Sequence, residues 1–507
     1  MERAGGDLKF VYICTSVFFI LTLFNILHHE MWRDELEAWM IAAEASSLHG
    51  LIENMRYQGH PMLWHLILYP ITRLTRNPVA MQMVHLLIAT LSSFVFLRFA
   101  PFNKLSRTLF VFGYFPFFEY ATISRNYAAG ILFLFIFCVC FGKDLKSRNY
   151  LTLSVILFLM CQCNALSTVL AIALALTIFL EPLLLKDYRV YRTGRLYVSI
   201  LIFTSGLLLS VIQLIPPADA RFYNPVIVTP VFLQKTAGLI SSLWNVFVPV
   251  PRFQLNFWHT NFLSYLPLQQ EMIYVLKLSL SLGLLLFSLF IVLRKKIPAF
   301  YYALSVIGVT AFGYIFYEGY TRHKAHYYFA FVTALWLNSY YPSQTIPLNA
   351  FFSFFEKNKT RFITAVFSLS MAGALTANTI DFMYPFSESK EAANYIKQNY
   401  QQNMPVAGHW FYAASAVSAY LDRAFYYPVI DKTGTFTVWK SIKDETVDVL
   451  KYVDRYRNSI KTDVLFIVNE NPLPDDVVQQ NGLIPLRHFT KSIVKSENFF
   501  LYMIKYE

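Results

Sequence analysis

The chain has 507 residues, of which 56% are hydrophobic, 18% aromatic and only 15% charged, with a mean hydropathy of +0.42. A soluble protein of this length carries roughly a quarter charged residues, so the composition excludes an ordinary soluble enzyme and indicates a polytopic membrane protein. The formal charge of +12 does not indicate nucleic acid as a partner, because the lysines and arginines stand in short clusters between long apolar runs, the pattern that orients helices in a bilayer.

In chain order, the apolar runs predict about eleven membrane helices. They are Phe10–His28, Val79–Phe99, Thr108–Thr122, Ala128–Phe141, Leu151–Leu166, Ser167–Leu185, Leu196–Ile215, Met272–Leu293, Phe300–Tyr317, His326–Tyr340 and Phe362–Phe382. The first run follows a short basic start but lacks a small-x-small cleavage pattern, and reads as a retained anchor. With the N-terminus cytoplasmic, every short basic cluster falls on one side: Arg98/Lys104/Arg107, Lys143/Lys146/Arg148, Lys186/Arg189/Arg192/Arg195, Arg294/Lys295/Lys296 and Lys357/Lys359/Arg361. That agreement requires two apolar stretches, Met62–Leu74 and Pro230–Val248, to rest on the outer face without crossing.

Two large external loops result, 29–78 and 216–271. In the first, Asp34–Ala45 predicts an amphipathic helix, with Leu36, Trp39, Met40 and Ala43 at i, i+3, i+4, i+7 and Glu37 and Glu44 opposite. Trp32 and Trp39 suit the water–lipid boundary. The five cysteines, Cys14, Cys138, Cys140, Cys161 and Cys163, lie inside apolar runs and read as small core residues, neither a disulfide framework nor a metal site.

Beyond Phe382 the chain turns polar. Helices are expected at Glu388–Tyr400, Phe411–Asp422 and Ile442–Arg457, and extended segments at Phe425–Ile430, Asp463–Val468, Ile484–His488 and Phe499–Lys505. The division is a membrane domain, 1–384, and a small extracytoplasmic α/β domain, 385–507.

Polar side chains are costly near a membrane, and here they gather at the outer ends of the spans. Trp32-Arg33-Asp34-Glu35 opens the first loop and Gly59-His60-Pro61 closes it. Glu119 ends the third span, and Ser124-Arg125-Asn126-Tyr127 leads into the fourth. Glu318 and Arg322-His323-Lys324 follow the ninth. Asn164 reads as a helix–helix hydrogen bond; Trp258 and His259, in the second loop, could touch the acceptor and are not assigned to the site. A carboxylate pair, Asp34 and Glu35, can act as general base toward a hydroxyl. His60, Arg125, Arg322 and His323 can hold a phosphate, arginine being the better fork, with Glu119, Asn126 and Tyr127 beside them. Spans supply a groove for an isoprenoid tail. Together these describe a transferase using a lipid-phosphate-linked donor.

The string Trp-Arg-Asp-Glu-Leu-Glu-Ala-Trp at 32–39, followed by Gly-His-Pro-Met-Leu-Trp-His at 59–65, resembles the GT-C membrane glycosyltransferases. That group includes protein O-mannosyltransferases, lipid A aminoarabinose transferases and bacterial enzymes acting on lipopolysaccharide cores. Ser-Arg-Asn-Tyr at 124–127 and Arg-His at 322–323 resemble two further motifs of bacterial members. Met62 stands where the family usually has a second proline, and His60 where aminoarabinose transferases have a phosphate-contacting lysine; a histidine there would carry a pH-dependent charge.

The resemblance implies a helical GT-C-like fold and an inverting hexosyl or pentosyl transfer from a polyprenyl-phosphate sugar, with Asp34 as base. The acceptor would be a lipid, glycan or protein, and the location a bacterial inner membrane with the site facing outward. No cofactor is expected; a divalent metal is used by some members and is not assigned here. The competing reading is a transporter or flippase for a lipid-linked sugar, which should place polar residues near the midplane in helices broken symmetrically between two halves.

Overall fold

The computed structural model describes residues 2–142, 148–186, 194–221, 232–341, 350–441, 453–454 and 461–506. Helix α1 (Glu2–His28) leads into three short helices of the first loop, α2 (Arg33–Glu44), α3 (Leu48–Met55) and α4 (Leu63–Thr72). There follow α5 (Val79–Phe99), α6 (Lys104–Val111), a π-helical turn (Tyr114–Glu119), α7 (Tyr127–Phe141), α8 (Tyr150–Cys161), α9 (Ala165–Leu184) and α10 (Gly194–Leu214). The second loop carries α11 (Phe232–Ser241) and α12 (Leu243–Phe247). Then come α13 (Gln270–Leu293), α14 (Lys296–Ile315), α15 (Thr321–Lys324), α16 (His326–Asn338) and α17 (Ala350–Met383).

Among the described residues, seven helices are long and apolar enough to cross a membrane: α1, α5, α9, α10, α13, α14 and α17. The remaining expected spans are short or broken. Helix α16 has 13 residues, ~20 Å at 1.5 Å per residue, against ~30 Å of hydrocarbon. Every one of its residues is buried, so protein surrounds it and lipid does not set its length. The expected third span breaks after α6, because Pro116 has no amide hydrogen to continue the ladder and the backbone widens into the π turn that carries Glu119. Neither stretch expected to stay on one face forms a long helix: α4 has 10 residues, and the second is split into α11 and α12.

Charges sort to opposite ends of the bundle. Asp7, near the start of α1, pairs with Arg107 at 2.9 Å, and Arg294 approaches Glu356 near the start of α17 at 4.0 Å. At the far end of the same two helices, His29 meets Asp381 at 2.9 Å. The basic clusters at Arg107 and Arg294 and the first loop therefore lie at opposite ends. The cluster residues 143, 146, 189 and 192 lie outside the described residues.

The C-terminal segment contains α18 (Ser389–Asn399), β1 (Val406–Gly408), α19 (Phe411–Leu421), β2 (Phe425–Tyr427), β3 (Lys432–Gly434), β4 (Val464–Asn469), β5 (Leu483–Phe489) and β6 (Phe499–Ile504). The strands form one sheet in the order β3-β2-β1-β4-β6-β5. β1 runs parallel to β2 and β4; the other pairs are antiparallel. Leu465 and Ile467 pack on α18 and α19, while Val464, Phe466 and Val468 face a second cluster with Phe500 and Tyr502. Both faces of β4 are covered, which explains its unbroken apolar run. The helix expected at 442–457 falls almost wholly outside the described residues. On its other side α19 presents Ala416 and Ala419 to Leu36, Trp39 and Met40 of α2, so the sheet segment is docked on the first loop.

Candidate active site

The expected helix of the first loop is α2, and its apolar stripe is buried as the periodicity requires. Two details differ. Trp39 is in the core and donates to the Arg76 carbonyl at 3.3 Å, and Trp32 is buried too, so neither lies at a lipid boundary. Glu37 is half-buried, not solvated; burial and the nearby Asp34 push its carboxyl up to about 8.

Asp34 stands in the first turn of α2. Its Oδ2 lies 3.1 Å from Arg125 Nη1 and 3.3 Å from Arg322 Nη2. Arg125 Nη1 also donates to the Asp34 carbonyl at 2.6 Å. Arg125 comes from the segment between the π turn and α7, and Arg322 from α15, so three parts of the sequence meet on one carboxylate. Burial opposes ionisation of Asp34, yet Arg125, Arg322 and Arg33 outweigh it and hold the carboxyl below its ordinary range.

Arg322 is 5% exposed. Its guanidinium lies 5.3 Å from the Trp32 ring, 5.1 Å from Trp258 and 5.1 Å from Tyr320. Aromatic faces stabilise a cation but do not satisfy its N–H groups, and Nε and Nη1 have no hydrogen-bond partner. Trp258 Nε1 donates to Glu119 Oε2 at 3.2 Å, fixing the box from beneath. Tyr127 stacks on Tyr120 and meets His323 edge-on, its hydroxyl buried without a partner. The site thus has surplus donors around one carboxylate, an arrangement that can accept an anion.

His60 follows Gly59, whose φ of +63° turns the chain into the site. Burial and Arg125 push the imidazole of His60 down to about 4. It is therefore neutral at neutral pH, and the pH-dependent charge expected of it is displaced from the physiological range. Burial and Arg322 likewise hold His323 well below its ordinary value; its Nδ1 accepts from the Tyr320 amide at 2.9 Å.

Glu35 is placed differently from its neighbour. It is completely buried, and it accepts from the Ser124 amide at 2.6 Å, His29 Nε2 at 3.1 Å and the Trp32 amide at 3.2 Å. Asn126 donates to the Cys163 carbonyl at 3.1 Å and anchors the start of α7. Asn164, expected between helices, instead caps α9, accepting from the Ser167 amide at 2.8 Å. Trp258, noticed in the sequence but not assigned to the site, belongs to this region, as do His29 and Asp381, which were not foreseen. The sequence signal for Trp258 is the aromatic and polar island Asn256-Phe257-Trp258-His259 in an otherwise apolar loop. Among the described residues, no group of three His, Cys, Asp or Glu side chains is placed to hold a metal ion.

Long apolar helices, a helical first loop and a docked mixed sheet define a helical membrane protein with a small C-terminal α/β unit. The same fold is found in ArnT from Cupriavidus metallidurans. Its structure bound to undecaprenyl phosphate aligns with a TM-score of 0.50 and 12% identity, covering 98% of each chain. The apo structure aligns at 0.53 and 11%, covering 99% of this chain and 98% of that one. No family model and no curated protein matches the sequence.

Proposed function

We propose that the protein is an inverting glycosyltransferase that moves a sugar from a polyprenyl-phosphate donor to an acceptor hydroxyl at the outer face of the membrane. The observation that carries this reading is Asp34 held by Arg125 and Arg322 while Arg322 keeps two buried donors unused. A donor phosphate can take those N–H groups and compete for the bonds now made to Asp34. Asp34, ionised and released, then accepts the proton as the acceptor oxygen attacks the anomeric carbon. The bond from that carbon to the phosphate breaks, and the phosphate leaves with the electron pair onto Arg322 and Arg125. Neutral His60 and the Tyr127 hydroxyl supply further hydrogen bonds. Glu35, already saturated, serves by holding its segment in place.

The shared fold supports the reading, since one of the similar structures holds undecaprenyl phosphate. The charged groups stand in loops at the ends of helices, where a transferase can meet acceptor from water; an alternating-access flippase would need them midway along the spans. The acceptor is a lipid, glycan or protein hydroxyl, and the setting that fits the chemistry is a bacterial inner membrane.

The test is Asp34→Asn, which preserves shape and one hydrogen-bond acceptor but cannot take a proton. It should bind a polyprenyl-phosphate sugar normally and transfer at least ~100-fold more slowly in single turnover. Near-normal transfer with donor bound would remove Asp34 as base.

A further inference from the structure

Two reactive groups, Asp34 and Arg125, each stand one residue away from a buried hydrogen bond to a single side chain. Glu35 follows Asp34, Ser124 precedes Arg125, and Glu35 Oε1 accepts from the Ser124 amide at 2.6 Å. The other oxygen, Oε2, is 3.1 Å from His29 Nε2, and the opposite ring nitrogen of His29 is 2.9 Å from Asp381 Oδ2 and 3.2 Å from Oδ1. Asp381 lies two residues before the end of α17. The side chains of His29 and Glu35 are 0% exposed and that of Asp381 5%.

We propose that Asp381, His29, Glu35 and the Ser124 amide form a positioning relay that sets the separation of Asp34 and Arg125 from the last membrane helix. It deepens the transferase reading, and its kinetic arm rests on that reading. Glu35 held only by its own helix could pivot about its side-chain bonds. An imidazole bonded at both nitrogens cannot rotate without breaking a buried bond, so Glu35 is held from a helix distant in sequence. Phe386 closes on the His29 ring at 4.7 Å and also packs on Trp32 and Trp258, so the anchor and the Arg322 box share one wall. The acidic neighbours Asp381 and Glu35 hold the ring protonated, up to about 10, against the effect of burial, and a protonated ring donates at both nitrogens. Displacements of about 1 Å at a reacting centre cost up to about 100-fold in rate. A relay of this kind is therefore large enough to matter without touching substrate.

The test uses the full chain in detergent or nanodiscs. Asp381→Asn keeps shape and a hydrogen-bond acceptor while removing the charge; His29→Gln is the harsher variant, since it leaves two buried carboxylates facing each other. Hydrogen exchange of the peptide containing Ser124 should rise about tenfold in folded Asp381→Asn, because the amide is protected through Glu35. Single-turnover transfer per folded molecule should fall about 10-fold to 100-fold while donor affinity stays within about threefold. The loss should be non-additive with Arg125→Lys, which disturbs the same separation. Unchanged Ser124 exchange in both variants, or losses that simply add, would make His29 a structural anchor and overturn the proposal. If the wild type transfers no sugar at all, the transferase reading fails, and the exchange measurement still decides the relay.

Discussion

Arg125 and Arg322 hold Asp34 from two sides, but they differ in what an arriving anion would find. Arg125 spends Nη1 on both the side chain and the carbonyl of Asp34, whereas Arg322 has Nε and Nη1 in reserve inside an aromatic box. Arg322→Ala should therefore weaken binding of a polyprenyl phosphate by about 2–5 kcal/mol, with Arg322→Lys intermediate because it keeps charge but loses the fork. Arg125→Ala should affect turnover more than binding. Donor titration by calorimetry beside single-turnover kinetics checks both, and equal behaviour of the two alanine variants would contradict the division of labour. His29 makes a separate expectation at the same scale. Its ring faces Asp381 and Glu35, with Glu30 and Glu119 within electrostatic reach. Its folded value of about 10 lies above the ordinary 6.5, so its contribution to stability is fully present below pH 6.5 and lost as pH rises through 10. Thermal unfolding followed from pH 7 to pH 10 should show a falling midpoint, and the fall should be shallower in Asp381→Asn. Charged residues such as Asp34, Arg125 and Arg322 were readable because they stand out against an apolar sequence. His29 was not, since one histidine at a helix end carries no pattern until Asp381, 352 residues away, is beside it.

Elements show where local pattern stops being sufficient. Period 3.6 identified α2, and long apolar runs identified α1, α5, α10 and α13, because each signal is local. β1 and β3 were missed, having three residues each, too few for an alternation to register. The break after α6 was also missed, although Pro116 marked it. The second loop is the element whose placement depends most on distant packing. Its segment 249–262 closes on itself, the Phe262 amide donating to the Val250 carbonyl at 3.0 Å, and this holds Trp258 against Arg322. It rests on α17 at Gly373, where an added Cβ would come within 2.1 Å of the Pro249 carbonyl oxygen. Backbone cannot yield as a side-chain tip does. Gly373→Ala should therefore destabilise the protein by about 1–3 kcal/mol and weaken donor binding through Trp258. Gly238→Ala, on α11 with nothing within 4 Å of its added Cβ, is the control and should be neutral or stabilising by up to about 1 kcal/mol. Thermal stability of the two variants, measured side by side, decides the point.

At the scale of the molecule, the arrangement of charge makes the claim about sidedness that function depends on. Helix α1 is 27 residues long, ~40 Å, enough to separate Arg107 at one end from the Asp34 site at the other. The sheet segment is tied to the Asp34 end: Arg33 reaches Glu497 at 3.6 Å and Ser496 at 3.1 Å, Gln58 donates to the Thr437 carbonyl at 3.0 Å, and the Met31 amide to Tyr420 at 3.1 Å. Site and sheet must consequently lie on one side of a membrane and the basic cluster around Arg107 on the other. The general bias of lysine and arginine toward cytoplasmic loops predicts a cytoplasmic position for that cluster. Single cysteines at the exposed positions Lys104 and Lys505 provide the check, the native cysteines being buried or half-buried. A membrane-impermeant maleimide should label Lys505→Cys in intact spheroplasts and Lys104→Cys only after lysis. Labelling of both in intact spheroplasts would mean that the chain crosses a different number of times and that the docked sheet is misplaced. The reverse pattern would keep the fold but turn the site toward the cytoplasm, and transfer at the outer face would have to be abandoned.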